Sequence, residues 1–142
     1  MPDGHARPLP GDAALARKLR GAIAGDVWFD AGHRGRYATD ASIYQIEPLG
    51  VIRPKSMADV EAALAIATEA GVPVLPRGAG TSQCGQTIGE ALVIDTSKYL
   101  DRILDVDVAA GTARVEPGVV LAHLNARLAQ DKLFFPVDPS TA

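Results

Sequence analysis

The chain has 142 residues, 47% of them apolar and 22% charged, with a formal net charge of −3. That length suits one domain burying roughly two thirds of its unfolded surface, and the charge balance gives no reason to expect nucleic acid or an anionic membrane as partner. No apolar stretch approaches the roughly 20 residues of a membrane span, and the single cysteine, Cys84, excludes an internal disulfide and a cysteine-built zinc or iron–sulfur site.

The opening "MPDGHARPLPGD" lacks an apolar signal core and reads as a leader, so a soluble, cytoplasmic domain is expected. Asp12 is placed to cap a helix with Leu15, Leu19 and Ile23 on one face, ending near Gly25. The stretch from Asp26 to Pro48 shows no clear period and reads as mostly loop. "LGVIRP" reads as a short strand stopped by Pro54. Ser56 opens "SMAD", which resembles a capping box, and Val60, Ala63, Leu64 and Ala67 then share a helical face up to a stop at Gly71. "VPVL" is the next strand. Together these predict a β-α-β unit with a right-handed crossover.

A glycine-rich run, "PRGAGTSQCGQTIG", follows, and then "ALVIDT" as a third, buried strand. "RILDVDV" and "TARVEPG" read as a β-hairpin around Gly111, and Leu121, Leu124 and Leu128 mark a last helix. The fold class is therefore α+β: a small parallel sheet flanked by helices, then a hairpin and a helix. "FFPVDPS" is an apolar-to-turn segment that normally leads onward, so the chain is expected to be part of a longer protein.

The glycine run has three candidate roles: a plain flexible loop, a phosphate cradle, or a nucleophile turn. It leaves the carboxyl end of a strand, the edge at which α/β sheets bind ligands, and loops of about a dozen residues in compact domains are usually functional. Glycines let backbone N–H groups approach an anion, and successive N–H groups form anion-binding nests. Thr81 and Ser82 add hydroxyls, and Arg77 adds charge. A dinucleotide fingerprint fails at Gln83, where its third glycine belongs. A P-loop fails at Gln86, which stands in place of the lysine. A nucleophile elbow fails at Cys84, where its closing glycine belongs. The phosphate cradle is left as the best supported.

Several motifs in order, "RPKSMADVEAALAIATEAGVPVLPRGAGTS", "ALVIDTSKYLDRILDVD", "TARVEPGV" and "FPVDPS", resemble the p-cresol methylhydroxylase-type FAD-binding domain. Within that family the chain is most similar to FAD-linked oxidases of the D-lactate dehydrogenase and glycolate oxidase kind. The resemblance covers roughly Arg36 to Ser140. It implies residues 1–25 as leader and helix, and 26–142 as the N-terminal part of an FAD-binding domain, truncated at its C-terminus. It assigns Arg77, Gly78, Ala79, Gly80, Thr81 and Ser82 to the FAD pyrophosphate, with Gly85 and Gln86 closing the loop. Pro117 and Gly118 look like a second wall, and Asp138 and Ser140 like the start of a third. Some members carry a flavin-linked histidine where Thr81 stands, so non-covalent FAD is implied.

The rest of the FAD domain and the substrate domain, with the catalytic base, are expected beyond Ala142. No catalytic residue is expected here, and a 2-hydroxy acid substrate would reach the flavin through that missing part. "YATDASIYQIEPLGVI" is similar to members fused to a ferredoxin-like iron–sulfur module, an electron-transfer partner the resemblance allows. His33 and His123 read as surface histidines without a metal partner, and Asp105 and Asp107 as solvent-facing. Cys84 reads as a passive small residue, and Tyr37, Asp40 and Tyr44 as packing for the irregular segment. Two classes stay open: an FAD-dependent oxidoreductase moiety, or a fold-retaining interaction or regulatory module without flavin.

Overall fold

The computed structural model of the chain describes residues 8–137 and Pro139. Helix α1 (Ala13–Ala22) begins where Asp12 accepts the Leu15 N–H at 2.7 Å, and it buries Leu15, Ala16 and Leu19. The following segment, read as mostly loop, also holds two short elements, β1 (Asp26–Trp28) and α2 (Ala31–Arg36). Neither is long enough to show a period. Antiparallel pairing with β2 (Gly50–Arg53) makes β1 a strand. Helix α2 is fixed by the Asp30 carboxylate accepting the His33 N–H at 3.0 Å, and by Arg34, whose buried guanidinium donates to the Phe29 carbonyl and to Glu47.

Ser56 caps α3 (Met57–Glu69) through the Asp59 N–H at 3.2 Å. The Asp59 side chain does not complete the capping box. It accepts instead from the Lys55 N–H at 2.8 Å and the Ala24 N–H at 3.1 Å, tying α3 to the end of α1. At the other end the Gly71 N–H reaches Thr68 O and the Val72 N–H reaches Ala67 O, a Schellman closure. The buried stripe is rotated from the predicted face: Ala63, Ile66 and Ala67 are inside, while Leu64 is 39% exposed.

Strands β3 (Val74–Arg77) and β4 (Leu92–Asp95) complete a sheet of order β1-β2-β4-β3, in which β2, β4 and β3 run parallel. The β-α-β unit is present, but β4 lies between its two strands. Along β2 and β4, Ile52, Leu92 and Ile94 join the core under α1 and α3. Val51 and Val93 are buried on the opposite face, which Asp95 shares by strand alternation. The hairpin forms as expected from β5 (Ile103–Asp107) and β6 (Thr112–Val115), a separate sheet with an irregularity between Ile103 and Asp105. Helix α4 (Leu121–Leu128) then buries Leu124 and Leu128. The architecture is the mixed α+β class read from the sequence.

Candidate functional site

The glycine run leaves the carboxyl end of β3, so its first residues sit at the C-terminal edge of the parallel strands, and it returns to the opposite edge at the start of β4. Its exit is held from below by Arg77. That guanidinium donates to the Thr87 carbonyl and to the Thr39 carbonyl, each at 3.0 Å, and lies 5.4 Å over the Tyr37 ring. Its hydrogen bonds therefore brace the loop. Gly80 has φ +73°, and a Cβ added there would run into this same guanidinium.

Ser82 organises the tip. Its hydroxyl oxygen accepts the N–H groups of Cys84 at 3.2 Å and Gln86 at 3.3 Å, and the hydroxyl donates to Gln86 Oε1 at 2.8 Å. Gln86 thus closes the loop on itself, and Gly85 backs onto the Tyr44 ring. Gly78, Ala79 and Thr81 face a groove of about 350 Å³. Its other side is built from Ser97 and from Pro117 to Leu121, so the structure brings the two predicted walls together. The volume falls in the usual range of ligand pockets. The N–H groups of Gly78 and Ala79 have no acceptor among the described residues, and no carboxylate lines the groove. Donors without partners beside an acid-free surface suit an anion. Asp138 and Ser140, the expected third wall, lie outside the described residues.

Gly118 is required by packing as well. Its N–H donates to Leu100 O at 2.7 Å, and a Cβ would press on the Leu100 carbonyl at 2.7 Å and on Ser97 Cα at 3.1 Å. Glu116 beside it is buried. Arg102 donates to its carboxylate from both backbone and side chain, holding that carboxyl below the usual glutamate range.

Residues 37–44, read from the sequence as packing, take a more specific part. The Tyr37 hydroxyl donates to Asp95 Oδ2 at 2.6 Å, and burial, with Asp95 as second cause, pushes its phenol well above the usual tyrosine range. Asp40 accepts from the Thr87 hydroxyl at 3.1 Å and from the Ser42 N–H at 2.9 Å. Hydrogen bonds from Ser42 first, and Thr87 after it, hold the Asp40 carboxyl low. This segment straps the glycine loop to the sheet. A signal for it was present: "DASIY" and "DTSKY" repeat one spacing, and in both the Asp side chain accepts the N–H of the Ser two residues on, at 2.9 Å.

His33, read as a surface histidine, is half-buried instead. His33 stacks on Trp28 with ring centroids 4.3 Å apart and pairs with Asp30, and Asp105, Asp107 and His123 are exposed. Cys84 is exposed in the loop. Among the described residues no cluster of His, Cys, Asp or Glu is placed to hold a metal, and no helix is long and apolar enough to cross a membrane.

Comparison with known proteins matches residues 48–142 to the family described as FAD binding domain. The chain is 38% identical over 123 residues to the D-2-hydroxyglutarate dehydrogenase of Pantoea ananatis, covering 84% of this chain and 12% of that protein. It is 36% identical over 123 residues to the glycolate oxidase subunit GlcD of Bacillus subtilis, covering 84% of this chain and 26% of the relative. The chain thus spans between 12% and 26% of these relatives' length. The solved structure of p-cresol methylhydroxylase with substrate bound shares the fold, with a TM-score of 0.67 at 17% identity over 94% of this chain and 27% of that one.

Proposed function

The chain belongs to the FAD binding domain family, and we propose that its groove holds the FAD pyrophosphate for an oxidoreductase acting on a 2-hydroxy acid. The observation that carries the placement is the pair of unpartnered N–H groups at Gly78 and Ala79, facing Pro117 and Gly118 across an acid-free groove. Pyrophosphate carries negative charge and many acceptors, and close backbone approach is what a larger side chain at Gly78 would prevent. Gly78, Ala79 and Thr81 form one wall, with Gly80, Ser82, Gly85 and Gln86 shaping the loop and Arg77 bracing it. Pro117 and Gly118 form the other wall. The likeness to dehydrogenases and oxidases of hydroxy acids supports the substrate class. When bound, FAD supplies the acceptor for the hydride of the substrate's C–H bond. No described residue is assigned to that chemistry. Thr81 offers no imidazole for a flavin link, so the cofactor is held non-covalently.

Amide NMR of the isotope-labelled chain, titrated with FAD, tests the placement directly. The amides of Gly78, Ala79 and Gly80 should shift most, together with those of residues 118–121, while the β5–β6 hairpin stays in place. ADP, which retains the pyrophosphate, should reproduce the pattern, and riboflavin should not. A silent glycine loop at millimolar FAD and ADP would refute the assignment.

A further inference from the structure

We infer that Asp95 is a positioning residue: one buried carboxylate that ties both walls of the groove to the central strand and so sets their separation. The inference rests on the FAD reading of the groove and adds a residue that the reading does not contain. Asp95 ends β4, the strand flanked on both sides in the parallel part of the sheet, and it is only 5% exposed. Its two oxygens face different structures. Oδ2 accepts the Tyr37 hydroxyl at 2.6 Å. Oδ1 accepts the Ser97 N–H at 2.9 Å and the Ser97 hydroxyl at 2.7 Å.

Each link continues to one wall. From Tyr37 the strap runs to Thr39, whose carbonyl takes the Arg77 guanidinium, and to Asp40, whose carboxylate takes the Thr87 hydroxyl. Those two contacts hold the exit of the glycine loop. From Ser97, itself in the groove, the turn runs to Leu100, whose carbonyl receives the Gly118 N–H. That contact seats the second wall. A carboxylate with acceptor sites on both oxygens can satisfy the two sides at once, whereas an amide in its place can accept on only one. With the group buried, a lost partner is not replaced cheaply by water, so either side must move when its bond is removed. Asp95 therefore couples the strap and the turn through a single rigid strand.

The coupling is readable without any ligand. Amide spectra of the wild type are compared with Tyr37→Phe, Ser97→Ala and Asp95→Ala, each with and without FAD. Tyr37→Phe should shift the amides of residues 39–45 and 78–87 and leave 117–121 in place. Ser97→Ala should do the reverse, and Asp95→Ala, which removes both acceptor oxygens, should disturb both sets. The FAD concentration at half-maximal shift should rise severalfold in Tyr37→Phe, whose hydroxyl lies outside the groove, with the melting midpoint within a few degrees of wild type. A purely structural role would lower the midpoint and leave FAD half-saturation unchanged.

The proposal is overturned if Tyr37→Phe leaves the glycine-loop amides and FAD half-saturation untouched, or if Asp95→Ala disturbs one wall alone. Should Asp95→Ala fail to fold, the two single-link variants still decide. A wild-type chain that ignores FAD strikes the functional reading, while the ligand-free spectra continue to decide the coupling.

Discussion

Gly78 and Gly80 are two residues apart, yet a side chain at each would meet different surroundings. A Cβ at Gly78 has nothing within 4 Å, whereas one at Gly80 meets the Arg77 guanidinium from a backbone with φ +73°. Left-handed backbone costs a residue other than glycine about 1–3 kcal/mol, so a substitution at Gly80 alters the loop before it alters any ligand contact. Gly78→Val is the clean probe. It should change unfolding free energy by less than about 1 kcal/mol in urea and weaken FAD binding by about tenfold or more. An unaltered FAD response would remove Gly78 from the pyrophosphate wall. Gly80→Val should lose stability and binding together. The need for glycine in this run was legible from composition, but which glycine faces a ligand and which faces Arg77 was not. That distinction depends on a guanidinium reaching Thr39, 38 residues away in the chain.

At the scale of elements, α3 is held at its start by two side-chain acceptors of unequal consequence. Ser56 satisfies a single N–H, and Ser56→Ala should cost about 1 kcal/mol, the usual value of an N-cap. Asp59 is buried and accepts from Lys55 and Ala24, so Asp59→Ala strands two donors at about 1–3 kcal/mol each. Urea unfolding should therefore place Asp59→Ala well below Ser56→Ala. Equal midpoints would show that the link from α3 to the end of α1 contributes little. The "SMAD" spacing announced a helix start correctly, because the Ser56 to Asp59 bond is local. It misassigned the Asp59 side chain, whose second partner is 35 residues away in sequence. The same limit hid β1 and α2. Three and six residues are too few for a period, and each is held by partners outside itself.

At the scale of the whole molecule, stability should be graded. β4 is buried along its length and paired on both sides, while β6 is exposed throughout and paired only with β5. Amide hydrogen exchange should find the slowest protons in β2 and β4 and the fastest strand protons in β5 and β6. Uniform protection across both sheets would contradict this grading. By itself the sequence determined the elements with local signals: the Asp12 and Ser56 caps, the stop at Gly71, the apolar strands, and a glycine loop at a strand's carboxyl end. It also held hints of strand order, since "LVID" is apolar enough to be covered on both faces and Pro76 suits an edge strand that needs fewer donors. Only the tertiary structure decided that β4 lies between β2 and β3, and that Asp95 takes its hydroxyl partner from Tyr37, 58 residues earlier. Caps and turns are fixed by bonds spanning two to four residues, so they can be read in a line of text. The partners of a buried carboxylate are selected by which surfaces pack together, and packing is settled only when the whole chain has closed.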